Sequence, residues 1–389
     1  MKKKVLLFLV MIIGLPAYAQ EHGQREVKFF AGLAGVISPM LEYTPRGEID
    51  ADKAATTDHY RIAYDHEGRL SNIKYFKHGV PSNDAYFYAH EVRYGYDKGR
   101  RVRQYFDAGG APDTMWRHYY RSENVHREVY TQEGNVVTLQ MFGLDGERVS
   151  VGTESFEFQA ELGHERGFWQ TQTKEDGAPN VIFGYLPFEA ALITRDDRGF
   201  LYQILNIDRD TGNLTMHPLA GFAEMRILFD DYGNEMGWEF RDDQGKLVNR
   251  GAEAVDPGYA RWLYEFDWTN RPLGHFRMLG ERYETADGGQ FCMGGVKCRV
   301  RRYQDTQGNV ISQATYGPDG ALVVDPDTGY AKVELDYDDQ NRRIETRYLG
   351  PDGALRASGV AVRRIKYDAA GEATTAEFDH TGAPIEKTE

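Results

Sequence analysis

Two cysteines form the only pair in the chain whose spacing by itself predicts a covalent bond. Cys292 and Cys298 flank a segment that contains Gly294-Gly295. In an exported protein, as argued below for this chain, a lone pair this close is expected to close a small disulfide loop. Metal binding would need further ligands, and a redox-active pair normally has closer spacing. The sequence therefore predicts a structural disulfide.

Two carboxylate-rich segments have the opening pattern of a calcium loop. Residues 208–213 and 325–329 place Asp residues two positions apart before a Gly, which would supply oxygen ligands. A complete loop also needs a Glu at its twelfth position, and counted from Asp208 that position is Leu219. The pattern therefore favours Asp residues that cap β-turns, and no metal site is predicted.

The histidines and serines show no catalytic signature. His90-Glu91 and His164-Glu165 lack a second His four positions after the first, and no Ser lies in a Gly-x-Ser-x-Gly context. No catalytic residue and no cofactor are predicted. The sequence favours a protein that is not an enzyme.

Aromatic side chains are the remaining residues that could contact a ligand. An exposed ring offers a flat apolar face on which a sugar can stack, and the candidates for such a role are Trp116, Tyr119 and Trp262. In a β-repeat the same residues normally fill the core or pair across strands, so both interpretations stay open for each site.

The N-terminus has the pattern of a secretory signal peptide over residues 1–19. Three lysines precede an apolar stretch from Val5 to Leu15, and small residues at Ala17 and Ala19 supply a cleavage site. We expect cleavage after Ala19. The apolar stretch is too short to span a bilayer, and no later stretch is apolar enough, so the mature chain is expected in the periplasm or outside the cell, without an integral membrane segment.

Charge argues against nucleic acid as a partner. The chain of 389 residues carries a formal net charge of -14, and loss of the signal peptide removes three lysines and no acid. Binding to nucleic acid or to an anionic membrane depends on Lys and Arg that neutralise phosphate. The acidic surface is therefore read as a solubilising one.

A phrase of an aromatic, Asp, two variable residues and Gly or Asn recurs about nine times along the chain. Successive starts from residue 195 onward lie 34, 37, 37, 34 and 30 residues apart, which is the spacing of a repeat architecture. Weaker copies begin at Tyr130, Phe158, Arg195 and Tyr303. The clear copies begin at Tyr64, Tyr96, Phe229, Phe266, Tyr337 and Tyr367.

A second turn phrase, often Asp-Gly before a small or apolar residue, follows each copy about a dozen residues later, as at Pro318-Asp319-Gly320. Gly takes the positive φ that a tight turn requires, and Asp can bond the turn backbone. Each unit therefore reads as strand, turn, strand, turn. The predicted fold is all-β, with tandem hairpins in an extended, curled antiparallel sheet or an open β-solenoid. The aromatic that opens each unit is predicted to be buried.

The repeat pattern also predicts how the mature chain is organised. Residues 20–60 precede the first clear copy and are interpreted as an N-terminal cap, which repeat arrays need to cover a stacking face. Residues 61–389 form the repeat array. Within it, degenerate copies and an apolar stretch suggest an insert around residues 158–228.

The copy from Tyr64 to Ile73 resembles the YD repeat of the RHS family, whose units are Tyr-Asp, a short turn with Gly and a β-strand. The resemblance covers most of residues 60–389. It implies hairpins that stack side by side into long curled sheets, which in that family can close into a shell around a toxin. Related extracellular proteins use the array for adhesion.

These features lead to a function of a general class. We expect an exported, non-enzymatic repeat scaffold that binds a protein or a glycan at the bacterial envelope or exterior. The alternative is a surface-polysaccharide hydrolase or accessory protein in which two carboxylates do acid/base work. Two converging carboxylates in a concave pocket would favour the alternative, whereas a binding protein needs only a broad patch.

Overall fold

The computed structural model of the protein describes most of the chain between residues 26 and 385. The described ranges are 26–34, 38–117, 122–152, 154–165, 167–182, 184–208, 210–231, 233–267, 277–305, 309–368 and 373–385. The predicted signal peptide lies outside these ranges.

The described chain is almost entirely β-structure, as predicted. Its one helix covers Ala51–Ala54 and is far too short to cross a membrane. In chain order the strands are β1 (Glu26–Leu33), β2 (Pro45–Ile49), β3 (His59–Tyr64), β4 (Leu70–Lys77), β5 (Val80–Pro81), β6 (Glu91–Asp97), β7 (Arg100–Phe106), β8 (Met115–Arg117), β9 (Ser122–Val125), β10 (Arg127–Glu133), β11 (Val136–Phe142), β12 (Glu157–His164), β13 (Gly167–Thr173), β14 (Pro179–Asn180), β15 (Ala190–Arg195), β16 (Leu201–Leu205), β17 (Glu224–Phe229), β18 (Glu235–Arg241), β19 (Arg261–Asp267), β20 (Arg277–Glu284), β21 (Gln290–Phe291), β22 (Arg299–Gln304), β23 (Val310–Tyr316), β24 (Lys332–Tyr337), β25 (Arg343–Leu349), β26 (Val362–Tyr367) and β27 (Ala373–Phe378).

Twenty-five of these strands form one continuous sheet, and each strand pairing in it is antiparallel. From β3 onward the chain is a meander in which each long strand pairs with the next, and the order begins with β2, β1 and β3. The short strands β5, β14 and β21 flank β4, β13 and β20, and β8 pairs with β9 outside the sheet. The prediction of an extended antiparallel sheet of hairpins is confirmed.

The recurring aromatic-Asp phrase forms the turn at one end of the hairpins. At Asp65 the backbone N–H donates to the Arg69 carbonyl at 2.8 Å, and the Gly68 N–H donates to the Asp65 carbonyl at 3.0 Å. Gly68 has φ 78°, a left-handed conformation that costs little without a Cβ. The Asp65 carboxylate accepts from the N–H groups of Glu67 and Arg69, each at 2.9 Å. The turn is therefore a three-residue hairpin loop held by its first residue.

The second phrase forms turns at the opposite end of the strands. Near Gly320 the Gly317 N–H donates to the Ala321 carbonyl at 2.9 Å, and Asp319 accepts from the Ala321 N–H at 3.0 Å. The chain then pairs briefly with the strand that it has just left, through a bridge between Tyr316 and Leu322. Both turn phrases act as predicted: Gly supplies positive φ, and Asp bonds the backbone.

The aromatics that open the clear copies are half-buried, so the prediction that they are buried was wrong for these copies, whereas Tyr130 and Phe158 of two weaker copies are buried. The half-buried rings include Tyr64, Phe229, Tyr337 and Tyr367. A register shift lies beside the first three of these rings, and a bulge turns a side chain away from the regular alternation of faces. The hydroxyl groups of these tyrosines instead form hydrogen bonds to backbone carbonyls of neighbouring hairpins. Tyr96 donates to the Leu70 carbonyl at 3.0 Å, and Tyr337 donates to the Val310 carbonyl at 2.9 Å.

The sheet curls, and an inner segment fills the curl. Leu41 and Tyr43 are buried, and the Tyr43 hydroxyl lies 3.2 Å from that of Tyr105 on β7. Further along, Arg46 donates to the Asn234 side chain, just before β18, at 2.8 Å. Strands remote in sequence therefore surround residues 38–44, which precede β2 and belong to the region interpreted above as an N-terminal cap.

Bulges and close backbone approach favour this curl. Register shifts occur in seven of the hairpins, and each one increases local twist. At Gly237 a Cβ would lie 2.2 Å from the Trp262 carbonyl oxygen, so only glycine lets the two strands approach. The main buried cluster runs from Phe30 to Tyr283. Within the described chain, no residue of β22 to β27 belongs to it.

Candidate functional site

A cleft of about 390 Å³ lies where the curl brings one row of hairpin turns together. Its walls include Arg69 from the β3–β4 turn, residues 97–101 of the β6–β7 hairpin and Arg195 at the end of β15. Met40 from the inner segment also lines it. The volume lies in the range of pockets that hold small ligands. The walls are rich in cations, which the acidic composition of the chain does not suggest.

Arg69 is held rigidly on one side of the cleft. Its Nε donates to the Asp65 carboxylate at 2.8 Å, and its Nη1 lies 2.7 Å from Glu67. The guanidinium also lies over the Tyr96 ring, 4.3 Å from its centroid. Turn, ion pair and ring together fix the position of the positive charge while 38% of the side chain stays exposed.

Arg101 is held in a similar way by the inner segment. Its Nη1 lies 2.6 Å from Glu42, and its guanidinium lies 4.0 Å from the centroid of the Tyr130 ring. Burial raises the pKa of Glu42, but Arg103, Arg101 and a hydrogen bond from the Tyr94 hydroxyl outweigh it and hold that pKa below its usual value. Glu42 is therefore an ionised carboxylate that anchors arginines of the wall.

Three further cations line the cleft without an ion-pair partner among the described residues: Lys98, Arg100 and Arg195. The Arg195 side chain reaches solvent within the cleft, and desolvation by the surrounding protein lowers its pKa. Glu42 acts in the opposite direction, and Arg101 lowers the pKa further. Because Arg195 is exposed and no carboxylate of the described residues forms an ion pair with it, its charge is accessible to an anion placed in the cleft.

Of the predicted stacking residues, Trp262 is not among the residues that line this cleft. Tyr119 lies outside the described residues, and so does the side chain of Trp116, whose backbone belongs to β8. The half-buried Trp262 donates to Glu281 at 3.0 Å and stacks on Tyr283 with 5.8 Å between ring centroids. These contacts explain Trp262 by packing, and its role as a ligand platform stays a prediction.

The other chemically suggestive residues have structural roles. Cys292 and Cys298 lie at disulfide distance, as predicted. Asp208 caps its turn by accepting from the N–H groups of Asp210 and Thr211, at 3.0 and 2.8 Å. The described residues contain no cluster of three or more His, Cys, Asp or Glu that could hold a metal ion.

The cations of the cleft form no motif that the sequence patterns indicate. The run Arg100-Arg101 directly after a hairpin turn, with Arg103 two positions later, is visible in the sequence. In a chain with 46 Lys and Arg against 60 Asp and Glu, such a run reads as part of a solvated surface. Only the curl of the sheet shows that Arg195 faces the same space.

Comparisons with known proteins add little. No family model matches the chain, and no curated protein matches it. Among solved structures, a crystal structure of TcdB2-TccC3-Cdc42 aligns at 10% identity over 84% of this chain and 20% of that chain, with a TM-score of 0.18. The chain thus spans about a fifth of the length of that structure.

A second solved structure aligns over most of its own length. It is a protein of Bacteroides fragilis NCTC 9343, provisionally named as a 6-phosphogluconolactonase, at 12% identity over 90% of this chain and 93% of that chain, with a TM-score of 0.15. TM-scores this low do not establish a shared fold or function.

Proposed function

We propose that the protein is an exported, non-enzymatic repeat scaffold that binds a glycan at the bacterial envelope or exterior, with the cleft as its ligand site. The observation that carries this proposal is the convergence of Arg69, residues 97–101 and Arg195 on one concave space. Tyr96 lines the same space, is half-buried and offers the exposed part of its ring to a sugar. A protein ligand is the other outcome that the experiment below can return.

Two features support a place outside the cytoplasm. Residues 1–19 have the charge, the apolar stretch and the small residues of a signal peptide. Cys292 and Cys298 are placed as a disulfide, and such bonds persist in oxidising compartments. The resemblance of the hairpin units to YD repeats agrees with an extracellular binding role.

The acids around the cleft support binding rather than hydrolysis. Hydrolysis of a glycosidic bond by acid/base chemistry needs two carboxylates that flank the scissile bond. Among the described lining residues, Asp97 is the only acid. Glu42, behind the wall, is occupied by Arg101 and Arg103. The hydrolase alternative therefore has no carboxylate pair to use in this cleft.

A glycan array probed with residues 20–389 tests the proposal, together with a pull-down from cell-envelope extracts. Leu162 lines the cleft and is 36% exposed, so Leu162→Trp should narrow the cleft and weaken binding at least about tenfold. Leu144 lies at the opposite row of turns and is 58% exposed, which makes Leu144→Trp a matched control.

Three outcomes would contradict the proposal. The array could show no bound glycan, Leu162→Trp could bind as the unmodified protein does, or shortened saccharides could be released from the array. Capture of a protein alone, with no glycan signal, would replace the glycan by a protein ligand.

A further inference from the structure

The cleft has an excess of positive charge that its own residues do not balance. Arg69 and Arg101 are matched by carboxylates of Asp65, Glu67 and Glu42. Lys98, Arg100 and Arg195 also line the cleft, and no ion pair joins any of them to a described residue. Asp97 is the one acid of the described lining. Five cations therefore face four acids, when Asp65, Glu67 and Glu42 are counted, and an excess of one positive charge remains on the side of Lys98, Arg100 and Arg195.

Charge is balanced differently on the C-terminal hairpins. There Arg347 lies within 3.2 Å of carboxylates from Glu334, Asp336 and Glu345. The charges of side chains on neighbouring strands thus neutralise one another on an open face of the sheet. The cleft is a concave exception, since its cations come from separate hairpins and face a common space.

The net negative charge of the protein does not abolish this local field. At physiological salt, interactions between exposed charges are screened beyond about 8 Å. Inside a concave site with low-dielectric walls, the nearby cations determine the potential that a ligand meets. Acidic residues elsewhere on the surface disfavour binding of a polyanion outside the cleft.

We propose that the cleft binds the acidic groups of an anionic glycan, a saccharide that bears carboxylate, sulfate or phosphate. This inference rests on the function proposed above and names its ligand class. Arg69 and Arg101 are already engaged by Asp65, Glu67 and Glu42, so they form a positive wall. The exposed Arg100 and Arg195 each have a guanidinium that can bond such an anion through two N–H donors, and the exposed Lys98 adds charge. Tyr96, which is half-buried, presents the exposed part of its ring to the sugar.

Isothermal titration calorimetry on the mature chain tests the ligand class. The probes are tetragalacturonate, a sulfated heparin tetrasaccharide, neutral maltotetraose and oligoglutamate, each at 50 and 200 mM NaCl. We expect an acidic saccharide to bind, maltotetraose to bind at least tenfold more weakly, and the affinity for the acidic saccharide to fall several-fold at the higher salt concentration. The ratio between the two acidic saccharides distinguishes carboxylate from sulfate.

Single variants locate the binding in the cleft. Lys98→Gln and Arg195→Gln should each weaken binding of the acidic saccharide about tenfold, the loss of one charge-assisted hydrogen bond, with unchanged melting temperatures. Lys246 is an exposed cation at the opposite row of turns, and Lys246→Gln is the matched control that should bind normally.

Different failures have different meanings. Equal binding of maltotetraose, with no effect of Arg195→Gln, would overturn the anionic ligand and leave the glycan-binding function standing. Binding of oligoglutamate as tight as that of the acidic saccharides would overturn the glycan. Absence of binding by every saccharide would overturn both this inference and the proposed function.

Discussion

Replacing Arg103 by Met should destabilise the protein more than any surface substitution, because Arg103 connects the curled wall to the inner segment. The side chain is fully buried on β7. Its Nε lies 3.0 Å from a carboxylate oxygen of Glu128, and its Nη2 donates to the Pro39 carbonyl at 2.9 Å. Arg103 thus joins two strands of the wall to residues inside the curl.

The magnitude follows from what the substitution leaves behind. Glu128 is also fully buried; it keeps the hydrogen bond from the Tyr105 hydroxyl at 2.7 Å, but loss of the Arg103 guanidinium removes a cation 3.0 Å away. Removing one partner of a buried ion pair costs about 3 to 5 kcal/mol, because the remaining charge stays desolvated. Met fills most of the space, so the cavity contribution is small. We expect Arg103→Met to lower the free energy of unfolding by this amount.

Urea unfolding followed by tryptophan fluorescence and circular dichroism measures the effect. With a slope of about 3 kcal/mol per M, the midpoint should fall by about 1 M or more. Arg363→Met is the matched control, since Arg363 pairs with Glu377 at 2.7 Å in a partly exposed setting and such pairs contribute at most about 1 kcal/mol.

A double substitution tests the physical reason. If the buried charge of Glu128 causes the loss, Arg103→Met combined with Glu128→Met should be less destabilising than the sum of the two single changes, by at least about 2 kcal/mol. Strict additivity, or a loss below about 1 kcal/mol for Arg103→Met, would refute the reasoning.

Three further predictions concern the pH dependence of stability, the tyrosine hydrogen bonds between hairpins, and local stability. The pKa of Glu42 is held below its usual value near 4.5. The ionised carboxylate therefore stabilises the folded protein above that pH, and this stabilisation is lost as the pH falls through the folded-state pKa. In urea titrations, the difference in unfolding free energy between the unmodified protein and Glu42→Gln should shrink from pH 7 to pH 3, and a constant difference would contradict this. Tyr337→Phe removes only the hydrogen bond to the Val310 carbonyl and should lower the free energy of unfolding by about 1 kcal/mol, as measured by thermal unfolding. No change would mean that water in the unfolded state solvates the hydroxyl as well as the Val310 carbonyl does. Amides of β22 to β27 should exchange with deuterium faster than those of β3 to β18, because β22 to β27 lie outside the main buried cluster. Equal protection of the two groups would show that the sheet unfolds as one unit.

The hairpins were predictable because their causes are local. An Asp at the end of a strand and a Gly three positions later interact within a single turn, as Asp65 and Gly68 do. The second turn phrase works in the same way. Alternating strands between such turns then pair with their neighbours in sequence, so the antiparallel meander follows from short-range chemistry.

The half-buried rings show where local reasoning ended. A ring that recurs before a turn is predicted to lie in the core, but register shifts lie beside Tyr64 and Tyr337 and both rings are half-buried. The repeat pattern gives the position of such a ring along the strand. It does not give the bulge, which depends on how two strands align.

The sequence by itself determined the all-β hairpin array, its two rows of turns and the cysteine pairing, since each of these depends on residues close together in the chain. Only the tertiary structure decided that residues 38–44 lie inside the curled sheet and that Arg69 and Arg195 line one cleft. The curl that joins them accumulates from small twists over many hairpins. No single segment of the sequence encodes the accumulated twist. The convergence of cations on the cleft therefore cannot be read from any one motif, whereas candidate stacking aromatics can be named from residue type alone.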